Sequence, residues 1–157
     1  MKSSWRTYTF FILLSEAVGA LSGWLSREAT EVYSTTIQQP PLSPPAILFP
    51  IVWSILYALM GIGAARVWLN TSGSIRANAI LLFFLQLAVN FFWSPIFFNL
   101  QAFGFAFFWL ILLWLLIFAM YQSFSRADPL AARLQIPYLL WVAFAGYLTA
   151  GVWLLNA

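Results

Sequence analysis

The side chains of this chain that could do chemistry are aromatic. Nine Trp, 6 Tyr and 16 Phe stand among 157 residues, with no His and no Cys. Without His the commonest metal and haem ligand is missing. Without Cys there is no thiolate nucleophile, disulfide framework or Cys-based metal site. No Ser/His/Asp set, carboxylate pair, phosphate loop or metal cluster is present, which argues against conventional hydrolytic or metal-dependent chemistry. What nine indoles can do is bind: a flat apolar molecule stacks on their faces and buries a large area there. Trp5, Trp24, Trp68 and Trp153 lie at the edges of apolar runs, where Trp commonly sits at a membrane–water interface. Trp53, Trp93, Trp109, Trp114 and Trp141 lie inside such runs. Interior indoles are either walls of an aromatic cavity or bulky packing residues, and composition alone leaves both open.

The elements that must hold these residues are membrane spans. The chain is 63% hydrophobic and 7% charged, where soluble domains carry about 25% charged residues. So few charges cannot coat a soluble globule, so the chain reads as an integral membrane protein with a single domain over 1–157. The net charge of +3 is too scattered to point to nucleic acid. Continuous apolar runs cover 7–25, 46–68, 77–98, 102–124 and 133–155. Each has roughly the 20 residues a helix needs to cross a bilayer, and none alternates as a membrane barrel strand would. The expectation is an all-α bundle of five transmembrane helices. Lys2 and Arg6 ahead of the first run, with Val18-Gly19-Ala20 after it, resemble a secretory signal, but Glu16 and the run's length favour a span. Six basic residues (Lys2, Arg6, Arg66, Arg76, Arg126 and Arg133) fall on the side of the N-terminus, against Arg27 alone on the other. That asymmetry puts the N-terminus inside and the C-terminus outside.

The connection 26–45 stands apart from the others. It carries Glu28, Glu31 and Tyr33 and ends in Pro40-Pro41-Leu42-Ser43-Pro44-Pro45. Proline fixes φ and lacks an N–H, so a stiff, extended stretch is expected, with Pro44 or Pro45 opening the second helix. It is either a lid over the outer mouth of a cavity or an ordinary stiff linker.

Depth brings the interior residues together. At 1.5 Å per residue, Trp53 lies about 10–12 Å below the outer surface, Asn90 about 12, Trp93 about 8, Trp109 about 10 and Trp141 about 18. Four helices thus place a Trp in the outer half of the membrane, which favours the cavity. Phe49, Trp53 and Tyr57 share one face of the second helix, Gln86, Asn90, Trp93 and Phe97 one of the third, and Pro137, Trp141, Ala145 and Leu148 one of the fifth. A buried Asn or Gln in hydrocarbon needs a partner, so Gln86 and Asn90 turn the Trp93 face inward. Pro95 frees a carbonyl and kinks the third helix. Ala145 and Gly146 leave space beside Trp141. Gly19-Ala-Leu-Ser-Gly23 permits close helix contact, within the chain or with a second copy. Glu16, costly at its depth, is a functional candidate or the partner of a neighbouring helix.

Three stretches carry a resemblance. They are Pro44-Pro45 followed by Phe49-Pro50-Ile51-Val52-Trp53-Ser54-Ile55-Leu56-Tyr57, then Asn90-Phe91-Phe92-Trp93-Ser94-Pro95-Ile96-Phe97-Phe98, and Pro129-Leu130-Ala131-Ala132-Arg133-Leu134 with Pro137-Tyr138-Leu139-Leu140-Trp141-Val142-Ala143-Phe144-Ala145. Together they resemble the TspO/MBR family of tryptophan-rich sensory proteins, translocator proteins and peripheral-type benzodiazepine receptors. The resemblance implies a five-helix bundle in a bacterial cell membrane, often dimeric, with a cavity under the first loop. It implies porphyrin binding, in some members sterol, benzodiazepine or isoquinoline binding, and in some a light- and oxygen-dependent degradation of protoporphyrin that needs two tryptophans. Those two match Trp53 and Trp141; Pro44, Pro45, Phe49, Tyr57, Asn90, Trp93, Ser94, Ala145 and Leu148 complete the expected ligand-binding set. The chain departs from the family where Leu42 replaces a loop Trp and where Phe105 follows Gly104 in place of Trp. No Lys or Arg follows Arg133, so the proposed sterol motif is absent.

The leading expectation is therefore a membrane protein that binds a porphyrin, metal-free because no His can ligate iron, and acts in tetrapyrrole sensing, transport or stress regulation. No cofactor is required. The alternatives are an enzyme degrading protoporphyrin through Trp53 and Trp141, and a small-metabolite transporter, which internal repeats would support and this chain lacks. The expected partners are the ligand, the bilayer and a second copy of the chain.

Overall fold

The computed structural model describes residues 4–157, so Lys2 lies outside the described residues. Seven α-helices follow one another: α1 Ser4–Leu25, α2 Arg27–Thr36, α3 Leu48–Asn70, α4 Gly73–Ser94, α5 Phe103–Ala127, α6 Pro129–Arg133 and α7 Ile136–Leu155. A π-helical turn, Pro95–Asn99, extends α4, and no strand occurs among the described residues. Five stretches are long and apolar enough to span a bilayer: Ser4–Leu25, Leu48–Asn70, Gly73–Asn99, Phe103–Ala127 and Pro129–Leu155. The chain is an all-α membrane protein, and each expected span is present within a few residues of its expected bounds.

Small residues let the spans close on one another. α1 packs most extensively on α3, because a Cβ at Gly61 would stand 2.5 Å from the Cα of Ile12; only Gly lets the two backbones approach so closely. Of the two glycines in the close-contact pattern of α1, Gly19 lies against the ring of Tyr57 while Gly23 faces open space. α4 packs on α5 and α5 on α7, whereas α3 and α7 make little backbone contact.

The connection 26–45 holds a helix that the sequence does not announce, since Arg27–Thr36 forms α2 with Glu28 in its first turn, where a carboxylate favours the positive end of the helix. The prolines begin only at Pro40 and so leave this stretch free to wind. Nor do Pro44 or Pro45 open the second span: a turn over Pro45–Leu48 intervenes, and Pro50 sits in the first turn of α3. Pro95 acts much as expected. It cannot donate to the Phe91 carbonyl one turn earlier, and the Ser22 hydroxyl of α1 donates to that carbonyl instead at 2.7 Å. From Pro95 onward the winding changes from α to π.

At the end bearing the N-terminus, an ion pair ties α3 to the α5–α6 junction. Asp128 N-caps α6, its Oδ1 accepting from the Leu130 N–H at 3.1 Å. Its Oδ2 accepts from Arg66 at 2.7 Å and from Asn70 at 2.9 Å. Burial raises the affinity of this carboxyl for a proton, but the bonds from Arg66, Asn70 and the Leu130 N–H together outweigh that and hold it below its ordinary value. A carboxyl depressed in the folded state stabilises the fold above its unfolded pKa, and that stability is lost as pH falls through the folded one. Asp128→Asn should therefore destabilise the fold at about pH 7 by about 1–3 kcal/mol, seen as a lower thermal midpoint in detergent. The gap to the native chain should narrow as pH is taken below about 4, and a gap that stays constant with pH would contradict the assignment.

Candidate ligand-binding site

A directional chain of hydrogen bonds crosses the bundle between three spans. Tyr57 Oη of α3 donates to Asn90 Oδ1 of α4 at 2.5 Å. Asn90 Nδ2 donates to Tyr138 Oη of α7 at 2.6 Å. Tyr138 donates onward to Gln86 Oε1 at 2.7 Å, and Gln86 Nε2 reaches Met60 Sδ at 3.6 Å. All five residues are buried. Each polar atom in the chain meets another, as hydrocarbon demands. The sequence placed Gln86 and Asn90 facing inward and included Tyr57, but it did not single out Tyr138; an isolated phenol deep in an apolar run, which needs a partner, was the signal.

Aromatic rings are built outward from this chain. Trp53 packs on Tyr57, with centroids 5.6 Å apart, and edge-on against Tyr138 at 6.1 Å. Phe49, one turn nearer the lid, meets Trp141 edge-on at 5.7 Å, and Trp141 meets Phe144 at 5.7 Å. Trp93 stacks on Phe97 at 4.9 Å. Trp53, Trp93 and Trp141 are all partly buried against the same core. The Phe49 contact corrects the depth of Trp141, which the sequence placed well below Trp53. From Trp141 to Leu155 the helix rises about 21 Å, so α7 runs far past the first turn of α3, and equal apolar lengths did not mean equal levels.

The indole N–H groups separate the interior tryptophans. Trp109 Nε1 donates to the Val89 carbonyl at 2.8 Å, and Trp114 Nε1 to the Leu139 carbonyl at 3.0 Å. These two pin α5 to its neighbours. Trp93 Nε1 and Trp141 Nε1 are buried with no hydrogen-bond partner. An orphaned buried donor costs about 1–3 kcal/mol, and an acceptor on a bound molecule would relieve it.

The chain 37–45 runs along the projecting end of α7 and holds α2 over the π turn. Asn156 Nδ2 donates to the Gln38 carbonyl at 2.8 Å, and Asn156 Oδ1 accepts from the Gln38 N–H at 3.1 Å. Tyr147 Oη donates to the Pro41 carbonyl at 2.7 Å. Pro40 seats on Gly151, where a Cβ would lie 2.5 Å from the proline ring. Tyr33 of α2 packs on Phe97 and Phe98 at 5.3 and 5.1 Å, and burial pushes its phenol up to about 12. The ring contacts Tyr33–Phe97–Trp93 thus connect α2 to an orphaned indole.

The other candidates fall around this centre. Ala145 is buried beneath Trp141's helix face, and Leu148, Ser94 and Pro44 are half-buried. Pro45 is exposed, as is Leu42, at 81% and φ +70° on the outer side of the loop. Phe105 stacks on Trp109 with its ring largely exposed. Glu16 accepts a 3.4 Å bond from Ser54 on α3. Between α3 and α7 an open groove of about 370 Å³ carries Val52, Ile55, Pro137, Leu140, Trp141 and Phe144. Ile55 and Leu140 are more than half exposed there, so one wall of the Trp141 region faces the bilayer directly. No group of His, Cys, Asp or Glu able to hold a metal occurs among the described residues.

Comparison with known proteins places these features in context. The model of the TspO/MBR family matches residues 11–154. Protein CrtK of Rhodobacter capsulatus is 40% identical over 77% of this chain and 76% of its own length. Tryptophan-rich protein TspO of Chlorobaculum tepidum is 34% identical over 96% of both chains. The translocator protein of Bos taurus is 32% identical over 98% of this chain and 92% of its own.

Tyr138→Phe should leave Asn90 Nδ2 and Gln86 Oε1 both unpaired and cost about 2–4 kcal/mol, whereas Tyr57→Phe, which removes only the terminal donor, should cost about 1. Thermal unfolding in detergent would check this order, and equal losses would contradict a directional chain.

Proposed function

The chain belongs to the TspO/MBR family, and from that premise we propose that it binds a metal-free porphyrin between Trp53, Trp93 and Trp141. The observation that carries this reading is the pair of buried, unpartnered indole N–H groups on Trp93 and Trp141, set among stacked rings beneath a tethered lid. A porphyrin offers what these groups lack. Its ring stacks on indole faces, and its carboxylates accept hydrogen bonds from donors that the protein leaves unsatisfied. The Tyr57–Asn90–Tyr138 chain supplies a rigid floor, because its donors and acceptors are already engaged. The groove between α3 and α7 gives an apolar ligand a path from the bilayer that avoids water. With no His to ligate iron, haem has no advantage over the free porphyrin. Binding in this place suits a sensor or carrier of tetrapyrroles.

Titration of the purified protein with protoporphyrin, followed by Trp fluorescence, tests the site. The Trp53→Phe, Trp141→Phe double variant should bind at least about tenfold more weakly; unchanged affinity would sink the proposal. Illumination of the complex discriminates binding from turnover, since loss of porphyrin absorbance no faster than in the double variant rejects a degrading enzyme. The lid has its own expectation. Asn156→Ala removes both bonds to Gln38 and should speed porphyrin release by about fivefold, measured by stopped flow.

A further inference from the structure

A second groove lies at the opposite end of the bundle from the lid. It holds about 440 Å³ and is lined by Arg6, Phe10 and Phe11 of α1, Trp68 of α3, and Ile80 and Phe84 of α4. Phe10, Trp68 and Phe84 are substantially exposed, so the groove opens outward toward the lipid. One rim is cationic. Arg6 lines the groove itself, and the Arg76 guanidinium lies 4.2 Å over the Trp68 ring that forms its wall. Arg76 donates one Nη bond to the Trp68 carbonyl at 2.6 Å, but its Nε is buried without a partner.

Among the described residues no carboxylate side chain neutralises this rim. The sequence has four acidic residues. Glu28 and Glu31 lie in α2 at the lid end, Glu16 lies mid-span against Ser54, and Asp128 is taken by Arg66 and Asn70. From Arg76 to Phe84 the groove follows α4 for about 12 Å, from headgroup depth into the hydrocarbon. A cationic mouth over an apolar trough is complementary to an amphiphile with an anionic head.

We propose that this groove is a binding site for an anionic phospholipid, its phosphate held by Arg6 and Arg76 and one acyl chain lying along Phe10, Ile80 and Phe84. The site is independent of the porphyrin reading. Trp68 is pinned by Arg76 from above and meets Phe11 at 6.4 Å, so a lipid seated there braces α1 against α3 and α4. The basic residues gathered at this end are those that a cytoplasmic leaflet rich in anionic lipid attracts.

The test is native mass spectrometry of the full-length protein offered equal amounts of phosphatidylglycerol and phosphatidylcholine with identical chains. Phosphatidylglycerol should be retained about tenfold better, and the Arg6→Gln, Arg76→Gln double variant should retain the two alike. Ile80→Trp, which fills the trough and leaves both arginines, should lower retention of phosphatidylglycerol as well. An unchanged thermal unfolding midpoint in detergent for each variant shows that the fold survives. Equal retention by the native protein overturns the site, as does a preference that persists in the double variant. Displacement of the lipid by inorganic phosphate alone would show a free-anion site and also overturn it. Because the chain has no Cys, Phe84→Cys provides a further arm: a disulfide-linked dimer in membranes would show a second copy covering the groove and would contradict the lipid.

Discussion

In the hydrocarbon core of a bilayer no water is available to satisfy a polar group, and this protein is organised around that constraint. Three spans converge on one hydrogen-bonded chain from Tyr57 through Asn90 and Tyr138 to Gln86. Each bond has one sensible direction, because the amide of Asn90 donates with one atom and accepts with the other. The chain therefore sets not only which helices meet but at what rotation. A slip of α7 by one residue would carry Tyr138 away from both amides and leave two buried groups unpaired. The same rule explains the approach of α1 to α4, where Ser22 takes the Phe91 carbonyl that Pro95 cannot serve.

Against that background the unsatisfied groups carry the information. Trp109 and Trp114 hand their N–H groups to carbonyls of neighbouring helices and act as struts. Trp93 and Trp141 sit in the same kind of surroundings with no acceptor. Two indoles of equal size and similar burial are thus doing different things, and hydrogen bonding separates them where composition and depth do not. Trp93 is linked through Phe97 to Tyr33 of α2, and Trp141 meets Phe49 at the start of α3. The connection after α2 is tied to the projecting end of α7 by Gln38, Pro40 and Pro41.

Much of this was legible in the residues and some of it was not, for definite reasons. The spans were legible because about 20 apolar residues in a row have few other uses. Asn90 and Gln86 announced an interior face because an amide in hydrocarbon must be paired. Helix α2 was hidden by the prolines that follow it, which dominate the composition of the connection without touching Arg27–Thr36. The level of Trp141 is not legible in the sequence, because run length reports the thickness crossed and says nothing of how far one helix overshoots its neighbour. The roles of Trp109 and Trp114 depended on which carbonyl lay within reach, a property of packing between spans. Leu42, where the resemblance expects a Trp, stands exposed at φ +70°, a placement no sequence pattern announces.

The central claim is that a flat, carboxylate-bearing ligand completes the hydrogen bonds that Trp93 and Trp141 lack. An experimental structure of the protein with protoporphyrin bound tests it most directly. The porphyrin should lie against Trp53, Trp93 and Trp141, with acceptor atoms within hydrogen-bond reach of the Trp93 and Trp141 Nε1 atoms and the Tyr57–Asn90–Tyr138 chain unchanged beneath it. Porphyrin density confined to the bundle's outer surface, with both indole N–H groups still unpaired, would contradict it.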